Sequence, residues 1–240
     1  MKLLLLLTAA LPLCAGDLER FTDSSLNDTQ RATACFALRG NKTPEVIDAM
    51  RAALDRPALQ ACAGANLRIA GATTELLNAL KNAEPSVRAI AVRELGTMQK
   101  PEYLPVIRKA AEDRDLLVSS NAVEGLVRYE DHSSAPQLRE IALMGGLTSL
   151  VLDTLIDWHD PEVLSIGRKL IGHKDPGDQL AGIRALGICG DSSDLPKLRE
   201  LSKDDAGLNG GARGFGFMPA ISISKAAKTA IANIQERAQK

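Results

Sequence analysis

Apolar residues return along this chain at two scales. Over helical lengths they fall three and four apart, as in Val87-Arg88-Ala89-Ile90-Ala91-Val92-Arg93-Glu94-Leu95. Over the whole chain one leucine recurs, as Leu38, Leu67, Leu95, Leu126, Leu155 and Leu186, at intervals of 29, 28, 31, 29 and 31 residues. Four residues before each stands a small or β-branched residue: Ala34, Ala63, Ala91, Ala122, Val151 and Gly182. Residues i and i+4 share one helix face, so this pattern predicts a helix that packs closely on a neighbour. Ala227 and Ile231 read as a seventh copy, displaced by an insertion.

A second helix is predicted after each of these. Pro101-Glu102-Tyr103-Leu104, Asp160-Pro161-Glu162-Val163 and Thr43-Pro44-Glu45-Val46 share one starting pattern, with Pro where a first helical turn has no intrahelical partner to lose. A period of this length with no strand between helices means stacked pairs, each burying its apolar face against the next. Aromatic residues make up only 3% of the chain, which disfavours strands. The predicted fold is all-α, an α-solenoid (alpha-alpha superhelix) of about six to seven helix pairs.

The motif Pro85-x-Val87-Arg88-x-x-Ala91-x-x-x-Leu95-Gly96 is echoed by Leu180-x-Gly182-x-x-x-Leu186-Gly187 and by Ile223-x-Lys225-x-Ala227-x-x-x-Ile231. On these residues the chain resembles the HEAT-repeat family, in particular the short HEAT-like repeats named after phycobilisome bilin lyases. The resemblance spans Asp28 to about Lys203 and the final helix. It implies a binding scaffold for most members, and for some a part in attaching or detaching chromophores. The alternative to a scaffold is therefore an enzyme or enzyme subunit of the bilin-lyase type.

The N-terminus predicts where the protein works. One Lys, an apolar run from Leu3 to Leu13 and the small residues Ala15-Gly16 precede the first acidic residue, Asp17. The run is about half the roughly 20 residues that a membrane span needs, so a cleaved signal peptide over residues 1–16 is expected, with a secreted or periplasmic product and no integral span. Leu11-Pro12-Leu13 ahead of Cys14 disfavours lipid attachment there. The expected organisation continues with a lead-in over 17–27, the HEAT-like array over 28–203, a Gly-rich loop over 204–219 and a capping helix over 220–240.

Formal net charge is -1, from 29 basic and 30 acidic residues, which excludes the basic excess of a dedicated nucleic-acid binder. Arg213-Gly214-Phe215-Gly216-Phe217 matches the start of an RNA-binding strand signature, but helical repeats supply no sheet to present it. Arg213, Phe215 and Phe217 are kept as candidate partner contacts on the loop. His132 and His159 fall in successive turns near Asp131, Asp157, Asp160 and Asp191, without the spacing of a metal site. No metal, cofactor or catalytic residue is assigned, and a non-enzymatic protein is expected.

Cys35 and Cys62 occupy repeat positions equivalent to Val92 and Ile90. Positions two apart on a helix differ by about 200° in direction, so one thiol can face forward and the other back. A Cys35–Cys62 disulfide is predicted, with Cys189 left as a small buried hydrophobe.

The second helices carry a cation at one repeat position: Arg51, Lys81, Arg108, Arg139, Arg168 and Arg199. Arg51 and Arg108 have carboxylates at helix-neighbour spacing, whereas Arg139, Arg168 and Arg199 have none. Those three are expected to be the freer cations and to bind an acidic segment of a protein or peptide partner.

Overall fold

The computed structural model describes residues 15–203 and 222–239, and every regular element among them is helical. The predicted signal segment up to residue 14, and the Gly-rich loop with Arg213, Phe215 and Phe217, lie outside the described residues. The chain divides into two compact units after Gly125.

The first unit contains α1 (Ala15–Thr22), α2 (Asp28–Ala37), α3 (Pro44–Ala53), α4 (Pro57–Ala70), α5 (Thr73–Ala79), α6 (Pro85–Met98), α7 (Leu104–Ala110) and most of α8 (Leu116–Arg128). Pro opens α3, α4 and α6, where its missing N–H costs nothing. Asn27 and Gln30 form a capping box at the start of α2. The helix-pair plan is present in α4 with α5 and α6 with α7, the first helices α2, α4 and α6 lie side by side, and α3 packs on α4. Ahead of them α1 falls largely in the lead-in, and it buries Phe21 while the Arg31 Nε donates to the Phe21 carbonyl at 2.8 Å.

The repeating leucine is the spine of the core. All six copies are at most 1% exposed, and the small residues four positions earlier are buried with them. Gly96 follows the Leu95 copy on α6, and a Cβ built there would stand 3.2 Å from the Gly125 Cα on α8. The two backbones approach too closely for a side chain. At the first-helix ends the backbone turns left-handed at equivalent places: Gly40 (φ 82°), Gly71 (φ 78°), Gln99 (φ 50°), Glu130 (φ 51°) and His159 (φ 54°). This is the αL helix stop, favoured by glycine and here met by three residues that carry side chains.

The second unit contains α9 (Ala135–Met144), α10 (Thr148–Asp157), α11 (Val163–Leu170), α12 (Pro176–Cys189), α13 (Leu195–Leu201) and α14 (Ile223–Arg237). Its centre is α12, which packs on α10, α11 and α14. Ile183 and Leu186 meet Leu198, Ala227, Ala230 and Ile234 in one buried cluster. The seventh copy of the spine thus departs from the sequence expectation: Ile231 is only partly buried, and Ala230 with Ile234 fills the core beside Ala227. Gly187 gives α14 its seat, since a Cβ there would lie 3.2 Å from the Ala230 Cα. Buried Asp178 on α12 accepts from the Thr148 Oγ1 at 2.5 Å and pairs with the His173 Nδ1 at 2.9 Å, tying the first turn of α10 and the turn before α12 to α12.

Candidate functional site

The cation series on the second helices is present, but its chemistry differs from the expectation. Arg139 on α9 grips Asp160 ahead of α11, Nε to Oδ1 at 3.0 Å and Nη2 to Oδ2 at 2.7 Å. Arg168 on α11 repeats the arrangement with Asp194 ahead of α13, Nε to Oδ1 at 2.7 Å, and also reaches Asp191 at 3.1 Å. These hydrogen-bonded carboxylates hold both guanidinium groups above the ordinary arginine range. Arg139 and Arg168 are therefore not free cations. Their neutralising carboxylates come from the next repeat, a relation invisible to a count of neighbours on the same helix. Arg199 is exposed and makes no ion pair among the described residues.

Other candidates resolve in the same way. Cys35 and Cys62 form a disulfide, S–S 2.12 Å with Cα atoms 6.4 Å apart, beneath which the Asn66 Nδ2 donates to the Cys35 carbonyl at 2.9 Å. Cys189 corrects the expectation of burial: it stands exposed on the last turn of α12. Its thiol is nonetheless pushed up by partial desolvation, with nearby Arg237 acting in the opposite sense. The His132 ring stacks on Trp158, centroids 4.7 Å apart, and the His159 Nδ1 lies 3.0 Å from the Asp157 carbonyl. Among the described residues no three His, Cys, Asp or Glu side chains come together as a metal site.

A concave feature lies in the first unit, between the second helices α5 and α7. It is a groove of about 780 Å³ whose apolar lining is Leu77, Leu80, Val92, Val106, Ala110 and Val118. Val92 and Val118 are buried in the floor, while Leu77, Leu80, Val106 and Ala110 remain partly exposed along the walls. The rim carries Lys81, Arg88, Lys109 and Arg114 against Glu112 and Asp113. Arg88 and Asp113 neutralise one another through two bonds, Nε to Oδ2 at 2.9 Å and Nη2 to Oδ1 at 3.0 Å. Lys81, Lys109 and Arg114 are exposed and form no ion pair among the described residues. Apolar walls under a rim with two positive charges in excess can bind an amphipathic anion or an acidic, partly apolar polypeptide.

Sequence reasoning placed Lys81 in the cation series but missed the rest of this site. The available signal was local: Leu77 with Leu80, and Val106 with Ala110, sit three and four apart, on helices too short to need two apolar faces.

Residues 73–145, from the start of α5 to the end of α9, match the family model for HEAT repeats. This makes residues 73–145 HEAT-like repeats, within a fold whose described elements are all helical. No curated protein matches the sequence. Among solved structures, human deoxyhypusine hydroxylase in complex with glycerol is similar at 17% identity, covering 93% of this chain and 96% of that one, with a TM-score of 0.42. An engineered protein shares 15% identity over 93% of this chain and 96% of its own, with a TM-score of 0.34. A designed armadillo repeat protein shares 15% over 91% and 98%, with a TM-score of 0.32.

Proposed function

We propose that this protein is a non-enzymatic scaffold, exported from the cytoplasm, that docks a protein or peptide on the second-helix surface of its repeats. The observation that carries the reading is the groove between α5 and α7, where partly exposed leucine and valine side chains stand open beneath unpaired cations. Apolar side chains kept at a surface rather than folded into a core mark an interaction site when they line a concavity. Export is supported by the sequence of residues 1–16, and among the described residues no helix is long and apolar enough to cross a membrane.

A photo-crosslinking side chain placed at Val106 in the groove, in the protein as expressed in its own host, tests the docking reading. It should yield a discrete covalent adduct with another protein, while the same group at exposed Thr97 should not. Equal adducts from both positions, or none from Val106, would remove the groove from consideration. N-terminal sequencing of the material recovered outside the cytoplasm should begin near Asp17.

A further inference from the structure

The groove's shape and charge define its occupant more closely, on the reading that it docks a protein segment at all. We infer that the occupant is an amphipathic helix of a partner protein, apolar along one face and edged with carboxylates. Leu77 lies on α5 with Leu80 at its C-cap, and Val106 and Ala110 lie along α7, so two apolar stripes flank one trough. A trough between helices receives the apolar stripe of a third helix, read as side chains at i, i+3, i+4 and i+7.

The other common docking modes lack their hardware here. Strand addition needs a sheet edge, and the described residues contain no strand. Proline-rich segments dock on aromatic-lined grooves, and this lining has no aromatic side chain.

Charge then selects the sign of the partner. Arg88 and Asp113 satisfy each other, so the lining retains Lys81, Lys109 and Arg114 against the single further carboxylate Glu112. A basic helix seated there would bring like charges together during docking. Carboxylates flanking the apolar face meet those cations instead, and they speed encounter as well as fixing the register. Lys81 follows α5, Lys109 lies on α7, and Arg114 precedes α8, so the contacts lie on both sides of a helix laid in the trough.

The test uses the purified full chain and two fluorescent synthetic helical peptides of ~16 residues, long enough to hold helix when bound. Both carry leucine at i, i+3, i+4 and i+7; one is flanked by Glu and the other by Lys. Fluorescence polarisation should show the Glu-flanked peptide binding at least ~10-fold tighter, with an advantage that shrinks as salt rises. The triple variant Lys81→Glu, Lys109→Glu, Arg114→Glu alters exposed side chains only and should reverse the preference without lowering Tm. Val106→Asp should weaken both peptides. If the peptides bind equally, or the Lys-flanked one wins, while Val106→Asp still weakens binding, the acidic occupant is overturned and groove docking stands. If neither peptide binds, or Val106→Asp changes nothing, both readings fall.

Discussion

Arg139 reaches across from one repeat to hold Asp160 of the next, and the Asp160 side chain is 4% exposed while that of Arg139 is 32% exposed. The pair is therefore asymmetric. Asp160 also accepts from the Glu162 N–H at 2.9 Å, so its position is fixed from the turn as well as from the helix.

Unequal consequences of breaking that pair follow. Arg139→Ala strands a buried carboxylate, whereas Asp160→Asn leaves a half-exposed guanidinium that water can reach, and an Asn side chain can still accept from the Glu162 N–H. Thermal melts should rank Arg139→Ala below Asp160→Asn. The double variant should lie above Arg139→Ala alone, because the stranded charge is gone. A double variant as unstable as the sum of the singles would show that the pair contributes no coupling.

The Arg88–Asp113 pair gives stability a pH signature. The Arg88 guanidinium, and then the Asp115 N–H, hold the Asp113 carboxyl below the usual carboxylate range. A group with a depressed folded pKa stabilises above its unfolded value of about 3.9, and that contribution is lost as pH falls toward the folded value. Compared with Asp113→Asn, the protein should hold a constant Tm advantage near neutrality that narrows below about pH 4. An advantage unchanged down to pH 2 would exclude the linkage.

The disulfide joins residues 27 apart in sequence. In the chain-entropy treatment a loop of that length restricts the unfolded state by about 3 to 4 kcal/mol. Chemical denaturation of the Cys35→Ala, Cys62→Ala variant should show a loss of that order. The midpoint of the parent should fall similarly in excess dithiothreitol and be insensitive to it in the variant.

His159 occupies the left-handed helix stop at φ 54°, where a Cβ is crowded. His159→Gly should raise stability by up to about 1 kcal/mol, the relief of crowding being partly offset by the greater freedom of glycine in the unfolded chain. The same exchange at Ala91, inside α6, should destabilise by a similar amount or more. Equal effects at the two positions would contradict the backbone assignment.

What the sequence made legible was whatever repeats within one helix. Leu38, Leu95 and Leu186 declared themselves because burial demands the same residue at the same turn of every first helix. Cys35 and Cys62 were legible because their places in the repeat fixed opposite directions. The misreading of Arg139 and Arg168 has an equally physical origin. Helix-neighbour spacing sees partners three and four residues away, while Asp160 and Asp194 lie 21 and 26 residues on, across a turn. Ile231 failed for a related reason: α14 meets α12 through Ala230 and Gly187, which turns the helix so that Ile234 rather than Ile231 points inward. The groove escaped notice because its walls come from two helices and its sign depends on the Arg88–Asp113 pair, which no single segment contains.

The arginine pairs also give the array a direction of growth. In Arg139 and Arg168 each repeat extends a donor to the repeat that follows, and the acceptor stands at the start of the incoming second helix. Arg199 on α13 holds the corresponding place, and α14 follows it with no second helix behind among the described residues. A duplicated repeat grafted after α13 would arrive with an Asp in register for a donor already waiting. The same graft ahead of α2 would meet Thr43 at the start of α3, not an Asp, so the array lengthens more naturally from its C-terminal side.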